Sequence, residues 1–576
     1  MPVLFIVLIA VIAIAVVTAW SQRLGVAGPL LLVALGAIVG LMPFVQVPEI
    51  KPEWILAGVL PPLLYSSAVN LPAIEFRRDL RAIGGLSVLL VLISSLLLGV
   101  FFWLAIPSVG LPLGIALGAI VSPTDAVATS IAKRLGIAPR VITMLEGESL
   151  LNDATALVLL RTAIVAIAGS FSPWGALGAF AWGILIAVVI GAVVGRLLVM
   201  LRGVVRNSAA STAIGFTVPF LAYLPTEALE GSGLVAAVVA GIVAGQGAPV
   251  LFTPEQRLSD RLTWRTVELV LEGAIFLLMG LELKDIVSAN LKANEDLWTP
   301  IWVAMVALVI ILATRTGYVS WLVWRQGRRA DRMNRAAFER LSHRIDRVAA
   351  GELELPARNG APKNPEHQQR RARNWQSRVT RALNDIDYYQ STRLGWKHGT
   401  IIVWAGMRGA VTLAAAQTLT DDQTHQHRAP LVFIAFLVAV VSLMLQGFTL
   451  PWLVRRLRMD AGDAEDDDEE HLRLVSQLWD AGQAALGDPG LVDRAGNPFP
   501  SDILSRMQKR VQVRAEDDDG SMMHTIGELR LAVIAAQRKE LTKLAAGGQY
   551  SSAELRRALN ELDAEQLSLQ VRMGEE

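Results

Sequence analysis

The chain of 576 residues has no cysteine, so disulfides, thiolate metal sites and cysteine nucleophiles are all excluded. Charge is also sparse. Only 18% of residues are Asp, Glu, Lys or Arg, against 53% apolar and a mean hydropathy of +0.44, which describes a polytopic membrane protein carrying a soluble part. Net charge is close to absent: Lys and Arg number 53 and Asp and Glu 52. That balance argues against a nucleic-acid partner and hides a strong unevenness along the chain. The apolar run 2–20 lacks the basic n-region of a cleaved signal, although Val17-Thr18-Ala19 loosely resembles a peptidase site, so it reads as a retained first helix.

A hydropathy window of about 20 residues finds further spans near 26–42, 53–70, 82–106, 111–133, 141–168, 174–201, 211–228, 232–248, 265–288, 298–325, 396–420 and 430–454. The reading is an all-α polytopic protein of about thirteen transmembrane helices. Lys and Arg should collect in cytoplasmic links, and they alternate here. Arg23 follows the first span, Arg77, Arg78 and Arg81 the third, Lys133, Arg134 and Arg140 the fifth, and Arg202 and Arg206 the seventh. Arg257, Arg261 and Arg265 lie around the link after the ninth, and Arg455, Arg456 and Arg458 follow the last. This places the N-terminus outside and the C-terminus in the cytoplasm, and the compact links suit a cell (inner) membrane.

With an odd number of spans, setting the seventh aside as a linker leaves two six-helix sets that enter from opposite sides, an inverted repeat of the kind that builds transporters. The fifth member of each set carries a helix breaker: Ser122-Pro-Thr-Asp125 in helix 5 and Gly406-Met-Arg-Gly409 in helix 12. Pro123 has no backbone donor to continue the hydrogen-bond ladder, which frees carbonyls to meet a cation, and Gly406 and Gly409 weaken the partner helix. Two broken helices crossing at the midplane are expected.

Helix 6 carries Glu146-Gly-Glu-Ser-Leu-Leu-Asn-Asp153, in which Glu146, Ser149 and Asp153 recur at three- and four-residue steps and share a face, with Glu148 and Asn152 on the adjacent stripe. An ionised carboxylate at membrane depth costs several kcal/mol, so such groups face a water-filled or protein-lined pathway. Carboxylate, hydroxyl, amide and freed carbonyl oxygens suit a hard monovalent cation. One carboxylate there can hold the ion or a proton but not both, and exchange follows from that competition.

The Ser-Pro-Thr-Asp string, the Glu146–Asp153 string, Phe276-Leu-Leu-Met-Gly280 and Gly406-Met-Arg-Gly409, with Leu60-Pro-Pro-Leu-Leu64, resemble the NhaP/NHE-type monovalent cation:proton antiporters over residues 1 to about 455. The resemblance implies a secondary active antiporter, not an enzyme, exchanging Na+ or Li+ for H+ by alternating access. Asp153 would carry cation or proton, supported by Thr124, Asp125, Ser149 and Asn152, with Asp153, Thr124 and Ser149 as ligands of the transported Na+. It also implies a buried Glu148–Arg408 ion pair and a homodimer. Asn152, where an electrogenic class has a second aspartate, resembles the electroneutral branch exchanging one cation for one proton. One departure stands out: many relatives have a carboxylate directly after the Pro-Pro-aliphatic run of helix 3, and here Tyr65-Ser66-Ser67 follows, leaving Ser66 as a neutral replacement.

Other readings compete. Asp125 could simply cap the half-helix after Pro123, and Glu146 and Glu272 either line the pathway and sense pH or are hydrogen-bonded helix residues. A K+/H+ antiporter of the same fold is the alternative within the class. Outside the class, a cation channel would lack proton coupling. An intramembrane aspartyl protease built on Asp125 and Asp153 would call for a Gly-x-Gly-Asp signature, which the spans lack.

Residues 1–456 thus form the transport domain. Its cytoplasmic insertion, 326–394, has about twice as many basic as acidic residues and is suited to solvent, anionic membrane lipid or an acidic partner segment. Residues 457–576 form a soluble helical regulatory or assembly domain, opening with Asp463-Ala-Glu-Asp-Asp-Asp-Glu-Glu470 and ending in a helical hairpin broken at Gly547-Gly548 and N-capped by Ser551 or Ser552. No cofactor is implied beyond the transported Na+ and H+.

Overall fold

The computed structural model describes the chain apart from residues 1, 25, 43–51, 107, 126, 168–172, 206, 295–296, 333–378, 380, 391, 425–426, 458–462, 489–490, 493–496, 500–519 and 573–576. Most of the basic insertion and the acidic run Glu516–Asp519 therefore lie outside the described residues. Two units are present, Met1–Trp324 with Leu394–Ala461 and Arg325–Arg393 with Gly462–Glu576, so the insertion groups with the C-terminal segment. Among the described residues the structure is helical, with one isolated β-bridge, Val492 to Pro498.

Among the described residues six helices are long and apolar enough to cross a bilayer: Ala73–Ala105, Pro139–Ile167, Leu177–Val204, Gly233–Leu251, Trp298–Arg328 and Arg428–Leu457. The elements in order are α1 (Pro2–Leu24), α2 (Gly28–Gly40), α3 (Leu60–Val69), α4 (Ala73–Gly84), α5 (Val91–Ala105), α6 (Leu111–Val121), α7 (Val127–Arg134) and α8 (Pro139–Ile167). They continue with α9 (Pro173–Val204), α10 (Ser208–Ala228), α11 (Gly233–Leu251), α12 (Pro254–Leu281), α13 (Leu283–Asn294), α14 (Trp298–Arg332), α15 (Trp396–Trp404), α16 (Ala410–Gln417) and α17 (Arg428–Leu457).

Helix α12 begins well before the expected 265–288 span. Thr253 accepts from the Gln256 amide at 3.3 Å, the Gln256 side chain accepts from the Thr253 amide at 2.9 Å, and Pro254 opens the first turn. Hydropathy registers only the apolar part of such a helix, whereas the cap marks its start. Helix α12 then lies against α2 with no room for a side chain at the crossing: a Cβ on Gly280 would stand 2.2 Å from the Val33 carbonyl. Helix α4 is amphipathic and is held to the start of α8 by a two-pronged buried pair, Arg140 Nε to Asp79 Oδ2 at 2.9 Å and Nη2 to Oδ1 at 2.7 Å.

Two pairs of short helices are interrupted in mid-span. Helix α6 stops at Ser122-Pro123 and α7 resumes at Val127, while α15 stops at Trp404 and α16 resumes at Ala410. The two interruptions touch, since the Asp125 amide donates to the Met407 carbonyl at 2.7 Å. The extended stretches thereby satisfy one another's backbone groups, the condition for irregular backbone inside a membrane.

The second unit contains α18 (Asp463–Leu486), α19 (Gly520–Gly547), α20 (Ser552–Arg572) and a helical run at 381–390. Gly548, at φ +68°, turns α19 into α20, and Ser551 caps α20 by accepting from the Glu554 amide at 3.2 Å. The hairpin closes through Arg538 Nη2 to Asp563 Oδ1 at 2.7 Å, and Glu470 of α18 accepts from the Ser551 amide at 2.7 Å. From the insertion, Asn384 donates to the Gly547 carbonyl at 3.2 Å, meeting an end-of-helix acceptor that α19 cannot satisfy itself.

Candidate ion site

The broken helices place four opposed ends together. Asp125 lies ahead of α7, where its Oδ1 accepts from the Val127 amide at 3.2 Å, and its carboxylate also rests on Gly409, the residue before α16. A Cβ on Gly409 would fall 1.3 Å from Asp125 Oδ2. One carboxylate thus sits at two helix N-termini, where exposed amides and aligned dipoles favour negative charge. At the opposite polarity Arg408 donates from Nε to the Val121 carbonyl at 3.2 Å, from Nη2 to the Ser122 carbonyl at 3.3 Å, and from Nη1 to the Gly406 carbonyl. It thereby collects the acceptors freed where α6 ends.

A cavity of about 100 Å³ opens beside these breaks, lined among others by Thr124, Asp125, Ser149, Asp153, Glu268, Glu272 and Thr412. Asp153 projects into it from α8, is 7% exposed, and makes no hydrogen bond or ion pair among the described residues. Ser149 lies one turn before it, its hydroxyl donating to the Glu146 carbonyl at 3.1 Å.

Behind this wall lies a second, smaller pocket lined by Ser94, Ser122, Glu148, Asn152, Arg315 and Arg408 among others. Asn152 belongs here and lies outside the lining of the Asp153 cavity: its amide donates to Thr124 Oγ1 at 2.7 Å and to the Thr124 carbonyl at 3.3 Å. Thr124 in turn donates to Glu148 Oε1 at 3.3 Å. The amide of Asn152 therefore orients the hydroxyl of Thr124, a residue that also lines the cavity.

The expected partner of Glu148 needs correcting. Its carboxylate is met by Arg315 of α14, through Nη1 to Oε1 and Nη2 to Oε2 at 2.8 Å, with both side chains 2% exposed. Arg315 also donates from Nε and Nη2 to the Ile402 carbonyl at 3.0 and 2.8 Å, which ties α14 to the end of α15. Arg408 instead spends a donor from each of its three nitrogens on the carbonyls of the break. Gly406 leaves space for the Arg315 guanidinium, as a Cβ there would lie 2.5 Å from Nε. The two glycines do more than weaken a helix: they hold open the places that one guanidinium and one carboxylate occupy.

Of the remaining candidates, Glu272 lines the cavity, whereas Glu146 forms an ion pair with Lys133 of α7. Ser66 is buried on α3, lies outside the cavity lining and donates to Glu268 Oε2 at 3.5 Å. Arg315 and Glu268 were missed by motif reading. Arg315 did carry a signal, a lone Arg deep within the apolar span 298–325.

Helices broken in mid-membrane, with an unpaired carboxylate in the cavity beside them, define an ion-handling integral membrane protein. The family model "Sodium/hydrogen exchanger, transmembrane" matches residues 7–346 and 377–456. An uncharacterised Na+/H+ exchanger of Mycobacterium tuberculosis is 27% identical over 98% of this chain and 96% of its own. A sodium, potassium, lithium and rubidium/H+ antiporter of Bacillus pumilus is 26% identical over 74% of this chain and 57% of its own. The sodium proton antiporter MjNhaP1 of Methanocaldococcus jannaschii shares the fold, with a TM-score of 0.54 at 17% identity, over 79% of this chain and 99% of that one. The chain belongs to the sodium/hydrogen exchanger family, a family of transporters.

Proposed function

We propose that the protein exchanges Na+, with Li+ as an alternative, for H+ across the cell membrane, one cation for one proton, with Asp153 as the shared carrier. The observation that carries this is the Asp153 carboxylate, exposed to the cavity and otherwise unpartnered. Thr124 and Ser149 add hydroxyl oxygens beside it for a partly dehydrated cation, and a proton on Asp153 excludes that cation. Asp125 fixes the helix ends that frame the site, and Glu148, Arg315 and Asn152 hold Thr124 in place. Net charge in the cavity is conserved when one proton replaces one monovalent cation, which makes the exchange electroneutral.

Around that site we place about thirteen spans in two inverted sets, the N-terminus outside and the C-terminus in the cytoplasm, and a homodimer of independent sites. The touching breaks of α6–α7 and α15–α16 suit motion as one body with α8, giving alternating access. Residues 457–576, together with the insertion, act as a regulatory module. Deletion of 460–576 then changes the pH or salt dependence of transport, and unchanged dependence refutes that role. K+ is the competing substrate, favoured by the potassium in the name of the Bacillus pumilus relative.

The test is proton flux in sealed proteoliposomes with a pH-sensitive dye inside, the voltage clamped at zero, and Na+, Li+ or K+ added outside. Wild type moves protons in response to cation and Asp153→Asn does not. The ranking of the ions names the substrate, and undiminished flux in Asp153→Asn refutes the assignment.

A further inference from the structure

Two carboxylates on α12, Glu268 and Glu272, stand four residues apart on one face, about 6 Å along the axis, and both line the cavity that holds Asp153. Glu268 has no ion pair among the described residues; its hydrogen bond is to the Ser66 hydroxyl, at 3.5 Å. Of the cations whose charge acts on it, Lys133 is held by Glu146, while Arg265 lies one turn back on α12. A carboxylate that merely snorkelled or braced the helix would be expected to find one of these cations. Glu268 instead lines the cavity, and α3 presents a hydroxyl, not a second acid, across from it.

We infer that Glu268 is a cation-recruiting residue, the first station of an acidic ladder running from Glu268 through Glu272 to Asp153, with Ser66 as its positioning partner. Its negative charge raises the local concentration of monovalent cation at the approach to the carrier without contributing to the exchange step at Asp153. The acidic side chain facing the cavity at this level comes from α12, and α3 has only to orient it. The inference rests on the assignment of Asp153 as carrier.

The experiment is the flux assay on full-length protein in proteoliposomes, reading the half-saturating Na+ concentration and the maximal rate separately. Each variant is first checked for a monodisperse size-exclusion profile. Glu268→Gln raises the half-saturating concentration about tenfold, the effect of one unit charge at a partly buried site, and leaves the maximal rate within about twofold. Glu268→Asp stays close to wild type. The gap between Glu268→Gln and wild type narrows as choline chloride raises the ionic strength, because the attraction is screened. The charge-relocation variant, Ser66→Glu with Glu268→Ser, recovers most of the lost apparent affinity, and it carries the test if Glu268→Gln does not assemble. Unchanged half-saturation in Glu268→Gln, a loss confined to the maximal rate, or a relocation variant no better than Glu268→Ser alone each overturns the inference. Asp153→Asn is assayed in parallel: if it still transports, the carrier assignment has failed, whereas if it is silent and Glu268→Gln behaves as wild type, only the recruiting role has failed.

Discussion

Which arginine Glu148 depends on can be decided by energetic coupling. Glu148 and Arg315 are both 2% exposed and meet through two hydrogen bonds, so removing one partner leaves a buried charge and costs about 3–5 kcal/mol. Arg315→Gln should fall toward the top of that range, because its bonds to the Ile402 carbonyl at 3.0 and 2.8 Å are lost as well. Arg408→Gln is also costly, since it uncovers the carbonyls of Val121, Ser122 and Gly406 at about 1–3 kcal/mol each. Single variants therefore do not discriminate, but double-mutant cycles do. The Glu148→Gln with Arg315→Gln cycle should show a coupling of about 2–3 kcal/mol, and the Glu148→Gln with Arg408→Gln cycle about 1 kcal/mol or less. Equilibrium unfolding of the purified protein in mixed micelles, as the SDS fraction rises, measures both. A coupling to Arg408 equal to or larger than that to Arg315 would refute the pairing and the division of labour built on it.

Gly409→Ala should destabilise by about 1–3 kcal/mol or more and sharply reduce transport, because its Cβ would stand 1.3 Å from Asp125 Oδ2, while Gly58→Ala, with nothing within 4 Å, should be tolerated. Thermal stability in detergent together with flux checks this, and equal behaviour of the two variants would show that Asp125 does not occupy that space. Tyr550 is 3% exposed with its hydroxyl unpartnered, so Tyr550→Phe should match or exceed wild-type stability, by up to about 1–3 kcal/mol. Burial, and then the charge of Glu470, push the Tyr550 pKa up from its ordinary value of 10.0. A raised folded-state pKa stabilises below the unfolded value and is lost as pH climbs past it, so protection of amides in Gly520–Arg572 should fall above about pH 10 in wild type and less in Tyr550→Phe. Hydrogen exchange on the full chain reads this, and an identical alkaline loss in both would refute it.

Much of the transport machinery was readable because its signals are local. Pro123 stops a helix through its own ring, and Gly409 precedes the second restart; Asp153 is conspicuous because apolar residues surround it in sequence. The cap could be placed at Ser551 or Ser552 from its neighbours alone, and the turn at Gly547-Gly548; the structure selects Ser551 and Gly548. The start of α12 was misjudged because its first turns are polar, and a hydropathy window registers composition where the Thr253 cap registers backbone chemistry.

Sequence by itself determined the class of protein, the positions of the helix breaks and the intramembrane carboxylate proposed as the carrier, since each depends on backbone constraints and polarity within a few residues. Tertiary structure alone decided which charge meets which. Glu148 finds an arginine 167 residues away in place of the one in the motif, Arg408 covers carbonyls left free where α6 ends, and Glu268 faces Ser66 from another helix. Burial obliges every such charge to find a partner or a cavity. The choice among partners depends on how the helices cross, and no stretch of a single helix encodes that geometry.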